Sequence, residues 1–180
     1  AYDEVQNVVY VPDRDPAGQG IYKITISHAT PGEVINSYPI AVKAHSGKRK
    51  INTVSLGPDG NLYVGFDSTG DIVRIVNPSA PEGTPLTVTT IGKTVNGRRT
   101  FSLAFWGQDL YIGQQEGLSV IPSAAGCAGS CQAQLAPKAL EKDHVTDVKA
   151  FDLSRGDYLA IGGSDFIGFY ETINGIHQEW

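Results

Sequence analysis

Positive charge recurs along this sequence in a pattern that would let one site collect it. Lys48, Arg49 and Lys50 form one group, Arg98 and Arg99 a second, and Lys142 with His144 a third. Such groups bind carboxylates or phosphates when brought together, Arg through a planar fork of donors and Lys as a point charge. Counting Lys43 and leaving the histidine aside, these segments hold seven of the fourteen Lys and Arg residues, in a chain whose net charge is −5. Acid recurs as well, at Asp59, Asp109 and Asp157. The competing reading is ordinary solvated loop charge, which needs no ligand.

Other chemistry is thinly represented. Cys127 and Cys131 flank Ala128-Gly129-Ser130, and no second cysteine or histidine pair offers the further ligands of a metal site. The pair reads as a local disulfide closing a small-residue loop, with two free thiols as the alternative. A disulfide would imply an oxidising compartment, extracellular or periplasmic. His144, between Asp143 and Asp147, reads either as a base with an orienting acid or as a surface histidine. Asp13-Arg14-Asp15 before Gly18 and Gly20 hints at a calcium loop but lacks the alternating oxygen ligands of one. The sequence contains no GxSxG, HExxH, P-loop or GxGxxG.

The elements that must position these residues are short strands. Ile51–Leu56, Asn61–Phe66 and Asp71–Val76 are β-rich runs separated by Pro58-Asp59-Gly60 and by Asp67–Gly70, both turn-forming. A fourth strand is expected at Leu86–Ile91. The unit recurs: Val9, Leu62, Leu110 and Leu159 align at steps of 53, 48 and 49 residues, and Gly65, Gly113 and Gly162 each follow the leucine by three. Self-similarity at this period, with four strands per unit, predicts β-propeller blades of four-stranded antiparallel sheet. About four blades are expected, as units 1–47, 48–97, 98–143 and 144–180. The first is expected to lack its innermost strand, so that the chain opens mid-blade and forms part of a larger ring. Missing blades or a second chain would close it. Phe101, Phe105, Phe151 and Phe166 are the expected aromatic fill of the core, and Gln132–Leu140 is expected to hold at most a short turn.

At residues 57–66, GPDGNLYVGF, the chain resembles the NHL-repeat, gluconolactonase-like and soluble sugar dehydrogenase propellers, which share this phrase at the turn from first to second strand. The resemblance implies a metal-ligand role for Asn52, eight residues before Gly60, although Lys50-Ile51 and Thr53 depart from the flanking pattern. The alternative for Asn52 is a polar residue facing the channel.

Propeller topology sends the fourth-to-first and second-to-third connections to one face. The basic groups would therefore ring the channel mouth there, with Asp13, Asp15, Asp67, Asp71 and Asp165 around them. The acidic turns would emerge opposite. The expected function is a non-enzymatic binding or scaffolding propeller taking a small anionic ligand or a protein partner. A metal-dependent lactonase-like hydrolase or sugar-oxidising enzyme, completed by missing blades and with a divalent metal, is the other reading. Net negative charge gives no reason to expect nucleic acid as a partner. No run approaches the roughly 18 apolar residues of a membrane span. The chain lacks methionine even at position 1, which points to a processed or excised piece of a longer protein.

Overall fold

The computed structural model describes residues 1–13, 20–40, 50–136, 144–153, 156–164, 166–173 and 176–179, with the backbone alone for 151–153, 156–158, 168–173 and 176–179. Four antiparallel sheets of four strands follow one another in chain order, each built by simple up-and-down connection. The first contains β1 (Tyr2–Asp3), β2 (Val8–Pro12), β3 (Ile21–Ile26) and β4 (Val34–Ile40). The second contains β5 (Ile51–Leu56), β6 (Leu62–Phe66), β7 (Asp71–Val76) and β8 (Thr87–Lys93). The third contains β9 (Thr100–Trp106), β10 (Asp109–Gln114), β11 (Leu118–Ile121) and β12 (Gln134–Ala136). The fourth contains β13 (Val145–Leu153), β14 (Gly156–Gly163), β15 (Ile167–Ile173) and β16 (Ile176–Glu179). This is a partial β-propeller.

Two expectations need correction. The opening sheet has an innermost strand, because Tyr2 pairs with Val9 and Asp3 with Val8. Asn7, at φ 52, and the Asp3 carboxylate, which accepts from the Gln6 amide at 3.0 Å, close the turn that folds it back. It is only two residues long. The segment after the cysteine loop is likewise extended where a turn was expected, pairing Gln134–Ala136 with Leu118–Val120.

The repeat register holds at the level of hydrogen bonding. In each of the last three sheets the pairing of first and second strands is broken by a bulge, at Ile51/Thr53, Thr100/Ser102 and Val145/Asp147. The partner opposite each bulge is the recurring glycine: Gly65, Gly113 or Gly162. At Gly113 the next sheet comes so close that an added Cβ would lie 2.7 Å from the Val145 carbonyl oxygen. Gly65 faces the Thr100 side chain of the following sheet in the same way. At Gly65 and Gly113 glycine is therefore required because the next blade touches there.

Three apolar clusters fill the spaces between consecutive sheets. Val8 and Tyr10 meet Leu62, Val64 and Ile75 between the first two. Tyr63 and Ile72 meet Leu110, Ile112 and Ile121 between the second and third. Tyr111 and Leu118 meet Val148, Leu159 and Ile161 between the third and fourth. Among the described residues no such cluster joins the fourth sheet to the first. The expected phenylalanines are secondary: Phe105 and Phe166 are partly buried against these clusters, Phe101 is half-buried, and the Phe151 side chain lies outside the described residues. The aromatic core is instead a tyrosine one residue after the aligned apolar position, Tyr10, Tyr63 and Tyr111, all under 5% exposed.

Burial raises the phenol pKa of all three, to about 12 for Tyr63 and for Tyr111, with Asp59 and Asp109 adding to the effect. Unfolded tyrosine titrates near 10. The folded state thus holds these protons more tightly, and the stability this confers is complete below pH 10 and lost as pH climbs through about 12. Melting temperature is expected to decline from about pH 10 upward, with the tyrosinate absorbance of these three rising only as the chain unfolds. Ionisation near pH 10 within an intact fold would contradict it.

Cys127 and Cys131 form a disulfide with Cα atoms 6.3 Å apart. Cys127 is buried between the second and third sheets, and the loop reaches across to β8, where the Cys131 amide donates to the Ile91 carbonyl at 2.6 Å. The closed loop is short, so its constraint on the unfolded chain is small. Its role is local, holding one blade's outer loop on its neighbour.

Candidate functional site

The connection from β8 to β9, residues 94–99, carries Arg98 and Arg99 and is fixed to the β6–β7 turn beneath it. The Thr94 amide donates to the Gly70 carbonyl at 2.8 Å, and the Thr94 hydroxyl donates to the Arg98 carbonyl at 2.6 Å. Gly70 has φ +63, and a Cβ there would lie 2.6 Å from the Arg98 oxygen, so only glycine admits this approach. The two connection types do share a face, as propeller topology requires.

On that face each arginine meets an acid. Arg99 Nε and Nη2 both lie 2.5 Å from Asp67 Oδ1. Arg98 Nη2 lies 2.5 Å from Glu116 Oε2. The Arg99 side chain is 51% exposed and its carboxylate 17%, whereas Arg98 and Glu116 are each 39% exposed. Glu116 sits at φ 63 in the β10–β11 turn, held by Gln114, whose side-chain amide donates to the Glu116 carbonyl at 3.2 Å. Arg99 also stands over the Phe101 ring at 5.7 Å, and Phe101 makes an edge contact with His144 at 6.3 Å.

Repeat symmetry organises these residues. The Asp67 amide donates to the Lys50 carbonyl at 2.9 Å, and the Gln115 amide donates to the Arg99 carbonyl at 3.0 Å, which makes Lys50 and Arg99 equivalent. His144 holds the same place, directly before β13. Three successive blades therefore begin with Lys50, Arg99 and His144, and the bulge two residues on presents Asn52, Phe101 and Thr146. Lys50 and His144 are exposed. Lys48, Arg49, Lys142, Asp143, Arg14, Asp15 and Asp165 lie outside the described residues.

Asn52 uses its amide to join blades, donating to the Thr100 carbonyl at 2.6 Å. Among the described residues no three His, Cys, Asp or Glu side chains group as metal ligands. The acids opposite are engaged in their turns: Asp59 accepts from the Tyr63 hydroxyl at 2.9 Å, and Asp109 from the Ser123 amide at 2.7 Å. Asp71 is buried beside Lys93 at 3.2 Å. Asp67 and Asp71, alike as compensating acid in the sequence, differ in burial and partner: Asp67 pairs with Arg99 and the buried Asp71 with Lys93.

No protein-family model and no curated protein matches this sequence. Among solved structures the chain is similar to YCF48 from Cyanidioschyzon merolae, at 14% sequence identity and a TM-score of 0.54. The match covers 96% of this chain and 55% of that one, so the chain spans little more than half the length of its structural neighbour. That likeness bears on the fold, a β-propeller.

Proposed function

We propose that this chain is a non-enzymatic binding or scaffolding propeller, working outside the cytoplasm, whose channel mouth takes anionic groups. The observation that carries the reading is the repeated basic residue type, Lys50, Arg99 and His144, with Arg98 beside it. The carboxylates of Asp67 and Glu116 mark where a ligand's negative charge would sit. Half-exposed ion pairs are worth only about 0.2–1 kcal/mol. A ligand carboxylate or phosphate that engages two guanidinium donors can therefore exchange with them. The disulfide supports an oxidising compartment.

Titration with succinate and with inorganic phosphate, at low and high salt, tests the reading. Binding is expected to weaken as salt rises. The Arg98→Ala, Arg99→Ala double variant should lose about 1.5–3 kcal/mol for each charged hydrogen bond removed. Heats indistinguishable between the variant and the unaltered chain would overturn it.

A further inference from the structure

Two successive interfaces between sheets share one arrangement of tyrosine and cation, and only one of them adds a carboxylate. Tyr63 pairs with Arg74 across β6 and β7, and Tyr10 pairs with Lys23 across β2 and β3, so the two cations are repeat equivalents. Both reach the third-to-fourth connection of the following sheet. Arg74 Nη1 donates to the Ala125 carbonyl at 3.4 Å, and Lys23 Nζ donates to the Ser79 and Ala80 carbonyls at 2.6 and 3.1 Å. Between the second and third sheets the acid is Asp59, which accepts from the Tyr63 hydroxyl at 2.9 Å while the Arg74 guanidinium lies against the same phenol.

Between the first and second sheets the carboxylate is missing. Gln6 precedes Tyr10 by four residues, as Asp59 precedes Tyr63, and it is neutral. The Tyr10 hydroxyl is buried without a hydrogen-bond partner. Lys23 is 6% exposed, and among the described residues no carboxylate lies within ion-pair distance of it. Carbonyls occupy two of the three N–H groups of its ammonium, which stands 5.3 Å from the centre of the Tyr38 ring. A buried cation without a counter-charge is costly, and an anion brought to it recovers part of that cost.

The surface opens beside these groups. A cleft of about 700 Å³ runs between β4 and the β7–β8 connection, residues 77–86, and Tyr38, Ala80, Pro78, Pro81, Pro85 and Leu86 are among its walls. Tyr38 and Ala80 are the residues that hold the Lys23 ammonium. At the corresponding edge of the second sheet the cysteine loop closes down, the Cys131 amide donating to the Ile91 carbonyl. Pro81 and Pro85 have no amide hydrogen with which to make such a bond to β4. A cleft of this size, walled by flat apolar rings with one cation at its base, has the make-up of a small-molecule site. We infer that it binds an amphipathic organic anion, a flat apolar body against the prolines and Leu86 with a carboxylate directed to Lys23. The inference stands apart from the channel-mouth reading, since it uses none of the residues there.

Calorimetric titration with 2-naphthoate and with the neutral 2-naphthalenemethanol tests it. The unaltered chain is expected to bind naphthoate saturably, and the alcohol roughly tenfold more weakly or worse, the worth of one charge-assisted hydrogen bond. Lys23→Met should remove that preference. Thr84→Glu, at an exposed position on the rim of the cleft, should weaken naphthoate binding by repulsion with an unchanged circular dichroism spectrum, and it decides the matter if Lys23→Met does not fold. The Arg98→Ala, Arg99→Ala double variant should bind naphthoate as the unaltered chain does, which separates this site from the channel mouth. No saturable binding of naphthoate, equal affinity for the alcohol, indifference to Thr84→Glu, or loss in the double arginine variant would each overturn the inference.

Discussion

Leu62→Ala is expected to lower the unfolding free energy by about 2–5 kcal/mol. Leu62 is 0% exposed and sits where the first and second sheets meet, among Val8, Tyr10, Ile21, Val64 and Ile75. β-Strands on both sides of it are fixed by their ladders, so the surroundings collapse little into the space left behind. The transfer cost of the lost methyl groups and the cost of the cavity then add. Leu62→Met, which keeps the volume, should cost less than about 1.5 kcal/mol. Urea midpoints for the two variants separate the effects, and equal midpoints would mean that the inter-sheet space is not close-packed.

Gly113→Ala is expected to cost about 1–3 kcal/mol, whereas Gly162→Ala stays within about 0.5 kcal/mol. The two glycines are repeat equivalents, each opposite a first-strand bulge. Their backbones do not need a left-handed conformation, so the difference is one of space alone. A Cβ at Gly113 would meet the Val145 carbonyl oxygen at 2.7 Å and the Val145 side chain at 3.2 Å, and a backbone oxygen cannot swing aside as a side chain can. A Cβ at Gly162 would have its nearest neighbour, the Asp147 Cβ, at the ordinary distance of 3.7 Å. Equal losses in thermal or urea denaturation would contradict this account of blade contact.

These glycines show how much of the fold was legible in residues alone. Period-two strands, turns at Pro58-Asp59-Gly60 and the leucine–glycine spacing are local signals, and they located the four sheets. What glycine was for was not legible, because its neighbour, Thr100 or Val145, belongs to the next blade. The same limit hid the tyrosine series, although Tyr10, Tyr63 and Tyr111 follow the aligned positions directly; their burial depends on inter-sheet packing. The two-residue β1 was missed because nothing in Tyr2-Asp3 distinguishes a strand from a turn without Val8 and Val9 to pair with.

The candidate site was legible as charge and illegible as pairing. Arg98 and Arg99 stood out by type and place. That Asp67 would lie on Arg99 and Glu116 on Arg98 depends on Gly70 and Gln115 holding two turns against one connection. Asn52 was legible by its spacing from Gly60 but not by its partner, since the Thr100 carbonyl that accepts from its side-chain amide belongs to the next blade.

The most direct test of the channel-mouth proposal removes the competing acid rather than the arginine. If succinate exchanges with the Asp67 carboxylate on Arg99, Asp67→Asn abolishes the competitor while leaving the cation, and calorimetric titration at low salt should show tighter binding than the unaltered chain. Arg99→Ala should bind more weakly, and the two variants together should behave like Arg99→Ala alone. Affinity unchanged or weakened by Asp67→Asn would contradict the exchange and, with it, the anion site.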